Sequence, residues 1–316
     1  MIRDVLFLGL QIGLLYGPLA LGVYLAINVL SLPDLTLEGS FGLGGAASAT
    51  GLVLGLDPVS ALLLGMCAGA LAGLTTAILH VVLQMNVLLA GILMTTAAWS
   101  VSIIVMGTGN ISLVRAETLF VWAEAIPLGN QAATILVGGV VTLLFGLFLT
   151  WLLGTGFGLA TRVTGLNIQT ARSMGIRTEM HQVIGLMLAN ALAAASGSLV
   201  AQSQGFMDVS IQGGVIVVGL AALTIGMSVM RSDRIAAGVL SVVAGVVIYR
   251  CIVALSLRMG IPPNAVKLIT AILVFAFVAA RIHGKGIFTV TSFVGWQARR
   301  RKHMQFLEND RVAPLF

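Results

Sequence analysis

The sequence predicts an all-α polytopic membrane helix bundle of about eight to ten transmembrane segments, and three observations carry that reading. Apolar residues make up 58% of the 316. Charged residues make up only 9%, against about 25% in an ordinary soluble domain, too few to cover a water-facing surface. Charge-free runs such as 5–30 and 183–206 exceed the roughly 20 residues that cross a hydrocarbon core.

Hydropathy breaks divide the chain into nine candidate segments. Residues 5–30 follow a single basic residue, Arg3, and form a run longer than a signal-peptide core with no small-x-small cleavage site, so they read as a retained first span. Residues 41–56 are short and glycine-rich, which predicts a broken or partly re-entrant helix. Spans follow at 59–83 and 87–107. The connection 108–131 contains TLFVWAEAI, a short interfacial helix with Trp122 at headgroup depth. Further spans fall at 132–153, 183–204, 209–230, 235–257 and 264–280. Residues 1–280 thus read as one transmembrane domain with a central loop at 154–182, and 281–316 as a basic tail.

Lysines and arginines orient the bundle, because they collect on the cytoplasmic side. With the central loop inside, Arg162, Arg172, Arg177, Arg231, Arg234 and the seven basic residues from Arg281 onward are cytoplasmic, 12 of the 17. Inverting the chain leaves five inside. A multi-pass protein of a bacterial inner membrane is expected, N-terminus outside and C-terminus in the cytoplasm. The net charge of +6 sits beside apolar segments, which makes it topological information and excludes nucleic acid as a partner.

Catalytic signatures are missing. The chain holds no HExxH, GxSxG, paired-cysteine metal spacing or Walker A sequence. His80, His181, His283 and His303 have no partner ligands at suitable spacing, and Cys67 and Cys251 sit in apolar segments as packing residues. The spans carry almost no titratable groups, which argues against proton coupling. Arg250 is placed to snorkel toward the outer surface, Lys267 lies near a segment end, and Asp34, Glu38 and Asp208 flank spans.

Two features stand out. In TRVTGLNIQTARSMGIRTEMHQ, Asn167 is a good N-cap, 168–174 is long enough for two helical turns, and Gly175 suits the left-handed C′ position. Ile168, Ala171 and Met174/Gly175 share a small-residue face, while Gln169, Arg172 and Ser173 face away. Such a helix docks into a soluble partner, lies on lipid, or is plain linker. The second feature is a pair of similar stretches, LPDLTLEGSFGLGG and GFMDVSIQGG, each with an acid, a hydroxyl two residues on and a glycine-rich entry to a span. They fall on opposite sides of the membrane, as in inverted repeats whose interrupted helices frame a midplane site; two ordinary helix N-caps have the same signature. Thr36, Glu38, Ser40, Ser210 and Gln212 are the polar candidates for a pathway. Asn190 joins them, with an interhelical hydrogen bond as the other role open to it.

DLTLEGSFGLGGAASA, GLNIQTARSMGIRTEMHQVIGLMLANALAAASGSL and GGVIVVGLAALTIG together resemble the inner-membrane permeases of ABC importers for branched-chain amino acids, sugars and nucleosides, over essentially the whole chain. The family's cytoplasmic Asn…Ala…Gly-Ile segment is resembled by Asn167, Thr170, Ala171, Arg172, Gly175 and Ile176, and the DLTLEGSF variant resembles a branch linked to aromatic amino-acid uptake. A family Gly-Gly pair appears here only as Val218-Gly219-Leu220-Ala221-Ala222. The resemblance implies a permease subunit that moves a small solute and works with a second permease chain, homo- or heterodimeric, and an extracytoplasmic solute-binding protein. A cytoplasmic ABC ATPase would bind the ATP, so this chain would need no cofactor. Asn167, Thr170, Ala171, Arg172, Met174, Gly175 and Ile176 would then form the ATPase-coupling helix. An ATPase-independent facilitator or secondary transporter is the alternative, and an intramembrane enzyme built on Asn190, Ser196 and Ser198 a more distant one.

Overall fold

A computed structural model describes residues 2–124, 130–230, 234–260, 268–272 and 275, and the elements below belong to one unit, Met1–Val274. Hydrocarbon offers the backbone no hydrogen-bond partners, so apolar runs must satisfy their amides internally as helices. Among the described residues six helices are long and apolar enough to cross a membrane, or seven when a bent pair counts as one span. The segment expected at 264–280, Lys267 and the tail boundary at 280/281 fall wholly or largely outside the described residues.

The first span is the broken one. Helix α1 (Ile2–Leu15) gives way at Tyr16 to α2 (Gly17–Val23), which continues as a π-helix over Tyr24–Val29, with a bend of 53°. Pro18 has no N–H to offer the Leu14 carbonyl four residues back. The Thr142 hydroxyl donates to that carbonyl instead, at 2.7 Å. The second segment, expected to be interrupted, is an unbroken helix, α3 (Thr36–Val53). Its glycines are contact points: a Cβ on Gly44 would collide with the backbone of Ala194, and one on Gly39 with that of Thr95.

Helices α4 (Pro58–Val81) and α5 (Val87–Met106) follow. Asp57 and Asn86 cap them through the amides of Ser60 and Leu88, at 3.0 and 2.9 Å. Beyond α5, β1 (Asn110–Ser112) pairs antiparallel with β2 (Phe206–Asp208), Ile111 opposite Met207. The short α6 (Leu119–Glu124) carries Trp122 on its exposed side. Helix α7 (Asn130–Gly154) then crosses to the central loop.

Most of that loop is helix. Gly156–Leu166 forms α8, opened by Thr155 as N-cap, and it packs on the neighbouring span where Thr161 Oγ1 meets His181 Nδ1 at 3.0 Å. After α9 (Ile168–Ser173) comes α10 (Thr178–Gln204), the most enclosed of the six long helices, with 78% of its apolar window buried against 28% for α5. Close approach explains that burial. Gly65, Gly69 and Gly73 form one stripe at i, i+4 on α4; a Cβ on Gly69 would stand 2.6 Å from the Asn190 carbonyl, and one on Gly73 2.6 Å from that of Leu186. A 3₁₀ turn (Val209–Gln212), α11 (Val215–Val229) and α12 (Ile235–Arg258) complete the described spans. The stretch Val218–Ala222 that lacks the second glycine lies within the regular part of α11.

Candidate translocation site and coupling helix

The DLT stretch folds inward. Asp34, expected to flank a span, is fully buried. Its Oδ1 accepts the Thr36 amide at 2.8 Å, and its Oδ2 accepts Asn190 Nδ2 at 2.7 Å. Asn190 lies 12 residues into α10, about 18 Å along it at 1.5 Å per residue. The acid is thus carried deep into the bundle by the turn that precedes α3. Sequence spacing alone made it a cap at the membrane surface; a partner 156 positions away makes it an interior group.

Around it the structure joins three of the pathway candidates in one polar network. Ser40 Oγ donates to Asn190 Oδ1 at 2.7 Å, the hydroxyls of Thr36 and Thr76 are 2.7 Å apart, and Asn190 Nδ2 also reaches the Leu186 carbonyl at 2.9 Å. Thr36, Ser40 and Asn190 are all fully buried. These bonds tie α3, α4 and α10 together at one level, the interhelical role expected of Asn190. A buried amide or carboxylate is tolerable in such surroundings because every donor has found an acceptor.

Glu38 belongs to a second cluster. Its Oε1 accepts the Gly214 amide at 2.9 Å, so the first turn of α3 meets the N-terminus of α11. Gly214, at φ +87°, offers no side-chain cap for α11; a carboxylate from another helix supplies one, where the helix dipole favours negative charge. Gln212 is buried beside Gly42, and neither its Oε1 nor its Nε2 has a hydrogen-bond partner among the described residues. Ser210 joins neither cluster. It is exposed and bonded to Asp208, whose Oδ1 takes the Ser210 amide at 2.7 Å and whose Oδ2 takes Asn110 Nδ2 at 3.1 Å. Those bonds, and the Ser210 hydroxyl before them, hold the Asp208 carboxyl below the usual carboxylate range.

Arg250 does not snorkel. Its guanidinium carbon sits 3.7 Å from the centre of the Tyr16 ring and 5.7 Å from that of Tyr249, turned into the bundle at the break of the first span. No feature of the surrounding sequence flagged Tyr16, Thr76 or Tyr249, because none belongs to a motif. No group of three metal-ligating side chains occurs among the described residues, and His283 and His303 lie outside them. Cys67, expected to pack, is exposed on α4, while Cys251 is half-buried.

At the other end of α10, α9 has the caps its sequence predicts. Asn167 Oδ1 accepts the Thr170 amide at 3.0 Å, Met174 follows as C-cap, and Gly175 adopts φ +77°. The expected common face is divided. Ile168 and Met174 are exposed, whereas Ala171 is fully buried against the chain itself. Arg172 is exposed and pairs with Glu179, and its Nε donates to Thr178 Oγ1 at 3.2 Å, which fastens α9 to the start of α10. Ile176 is half-buried behind it.

Comparison with known proteins finds permeases among the relatives of this chain. The tyrosine transport system permease protein of Clostridioides difficile (strain R20291) is 34% identical over 266 residues, covering 84% of this chain and 88% of the relative. An uncharacterised protein of Rickettsia prowazekii is 29% identical over 86% of this chain and 96% of its own length. An autoinducer 2 import system permease protein of Escherichia coli (strain SMS-3-5 / SECEC) is 29% identical over 64% of this chain and 65% of the relative. No solved structure matches. Residues 5–279 match the family described as "Branched-chain amino acid transport system / permease component", and with a match over that much of its length the chain is a member of that permease family.

Proposed function

We propose that the chain is the membrane-spanning permease subunit of an ATP-driven importer for a small solute of amino-acid type, seated in a bacterial inner membrane with its C-terminus in the cytoplasm. It pairs with a second permease chain, receives solute from an extracytoplasmic binding protein, and leaves ATP binding and hydrolysis to a separate cytoplasmic ATPase. The chain itself makes and breaks no covalent bonds. Family membership supports the class, and the name of the Clostridioides difficile relative supports the kind of solute.

The observation that carries the coupling role is the exposure of α9. A helix of six residues is too short to be stable alone, yet this one is capped at both ends and held to α10 by Arg172. With the last residue of α8 and its own C-cap, it presents Leu166, Ile168 and Met174 outward, at 85%, 40% and 66% exposure. Apolar groups fixed in that way suit an apolar groove on a soluble partner. The test is ATP hydrolysis stimulated by the solute-loaded binding protein, measured in proteoliposomes with the ATPase present. Met174→Glu should abolish stimulation and release the ATPase, because it places a charge in the groove. Gly175→Val should do the same by forcing a β-branched residue into positive φ. Arg172→Ala should be milder, its ion pair being exposed. Full stimulation by both Met174→Glu and Gly175→Val would reduce α9 to a linker.

A further inference from the structure

We propose that the cavity between the break of the first span and the start of α11 is a binding station for a free α-amino acid, which Arg250 and the α11 N-terminus hold by its carboxylate and Glu38 by its ammonium group. The inference rests on the permease reading above and deepens it.

The cavity measures about 240 Å³ and is lined by Tyr16, Gly214, Tyr249, Arg250, Thr270 and valines of the first turn of α11. Drug-sized sites run to about 300–1,000 Å³, so this volume limits the ligand to one small solute. A guanidinium in a membrane interior is costly unless an anion or its equivalent meets it. Arg250 has the Tyr16 ring on one side but no carboxylate among the described residues, and its Nε is buried without a hydrogen-bond partner. The face of a tyrosine stabilises the cation without using any of its five N–H donors, which leaves the planar fork free for a carboxylate.

Two neighbours extend the match. Gly214 brings no side-chain cap to the fifteen-residue α11 and Glu38 takes only the Gly214 amide, so the first-turn amides beyond it add donors and a positive dipole end to the same cavity. Glu38 is tethered through one oxygen to the amide of Gly214, a residue of the cavity wall; its other oxygen has no hydrogen bond among the described residues and can receive an ammonium group. Arg250 stands in the largely apolar wall and Glu38 just behind it, on Gly214; a cation and an anion so placed fit a zwitterion better than a sugar, which would need paired neutral donors and acceptors.

The ligand-side test uses the unmodified full-length chain in detergent. Thermal stabilisation is titrated with L-leucine and L-tyrosine, with 3-methylbutylamine and tyramine, which lack the carboxylate, and with 4-methylpentanoate, which lacks the ammonium. The amino acids should stabilise the protein, and loss of either charged group should weaken apparent affinity more than about tenfold, as expected when a charge-assisted hydrogen bond is lost. Arg250→Lys should keep the unliganded melting temperature, lower affinity for the amino acids, and no longer distinguish leucine from 3-methylbutylamine. Equal stabilisation by amino acids and their amines in the wild-type chain, or none by either amino acid, overturns the station. Should Arg250→Lys misfold, the wild-type ligand series alone decides. Uptake in the assembled transporter separates the two levels: ATP-dependent uptake of ribose and not of amino acids removes the station and leaves the importer standing. Carboxylate-dependent binding without any ATP-dependent uptake does the reverse.

Discussion

Asp34 and Asp208 begin the two related stretches, and their local chemistry is nearly the same. Each uses Oδ1 to cap the amide two residues on, and each uses Oδ2 to accept an asparagine side chain, Asn190 in one case and Asn110 in the other. The surroundings differ completely. Asp34 is fully buried, and its asparagine is part of a network that joins three helices. Asp208 is partly exposed, and its asparagine merely fastens β1 to β2. One sequence device therefore serves as an interior clamp on one side of the bundle and as a surface latch on the other. What decides between these roles is the partner helix. Glycines on α3 and α4 let α10 close over Asp34, whereas only a two-stranded ribbon meets Asp208.

The largest effect should come from removing the buried acid. Asp34→Ala leaves the buried Thr36 amide without an acceptor and Asn190 Nδ2 with only the Leu186 carbonyl, at about 1–3 kcal/mol for each stranded N–H. Asp208→Ala removes a cap that water can replace, at about 1 kcal/mol. Melting temperatures of the detergent-purified variants should separate widely, and Asp34→Asn should recover part of the loss by keeping an acceptor for the amide. Equal losses at the two positions would mean that burial does not distinguish the sites.

A double-mutant cycle sharpens the same contrast. Asp34→Ala with Asn190→Ala should show a coupling toward the upper end of the about 0.5–3 kcal/mol range for contacting residues, and Asp208→Ala with Asn110→Ala a coupling toward the lower end. A larger coupling at the ribbon would reverse the assignment of clamp and latch.

Glu38 bridges the two regions, since it reaches from α3 to the amide that opens α11. It is only partly buried, so Glu38→Ala should change the melting temperature little and lower uptake by the assembled transporter severalfold. Normal uptake by that variant would leave Glu38 a helix cap and nothing more.

How much of this was legible in the sequence follows from the range of each signal. Span positions depend on local hydropathy, and most helices fall where the charge-free runs lie. The α9 caps are local too, and Asn167 and Gly175 behave as their residue types dictate. The bend was placed one segment too late, because glycine content drew attention to 41–56 while the decisive residue was Pro18, whose lost hydrogen bond is covered by Thr142 from a distant helix. Helix α8 was hidden by its three glycines and two threonines, weak helix formers, and shows through its packing against α10. The depth of Asp34 and the inward turn of Arg250 depend on partners far along the chain, Asn190 and Tyr16. Neither residue advertises its role in its own neighbourhood.

The smallest expected effect is a pH dependence confined to the latch. Hydrogen bonds from Ser210 and Asn110 hold the Asp208 carboxyl below its ordinary value, which means that the folded ribbon favours the charged form. A group with a lowered folded-state pKa contributes stability that is fully present above its unfolded value, near 3.9 for an aspartate, and loses it as pH falls through the folded value. Hydrogen exchange of the amides that pair β1 with β2 should therefore be protected to the same degree from neutral pH down to about 5, after correction for intrinsic exchange rates. Protection should decline only once Asp208 takes up its proton. Asp208→Asn keeps an oxygen for the Ser210 amide and cannot titrate, so its ribbon should begin weaker and show no acid decline. Because Asn110 Nδ2 is a donor whatever the pH, protonation of Asp208 weakens that bond without abolishing it, and the wild-type loss should be partial. An identical acid decline in Asp208→Asn would place the titrating group elsewhere and remove Asp208 as the latch.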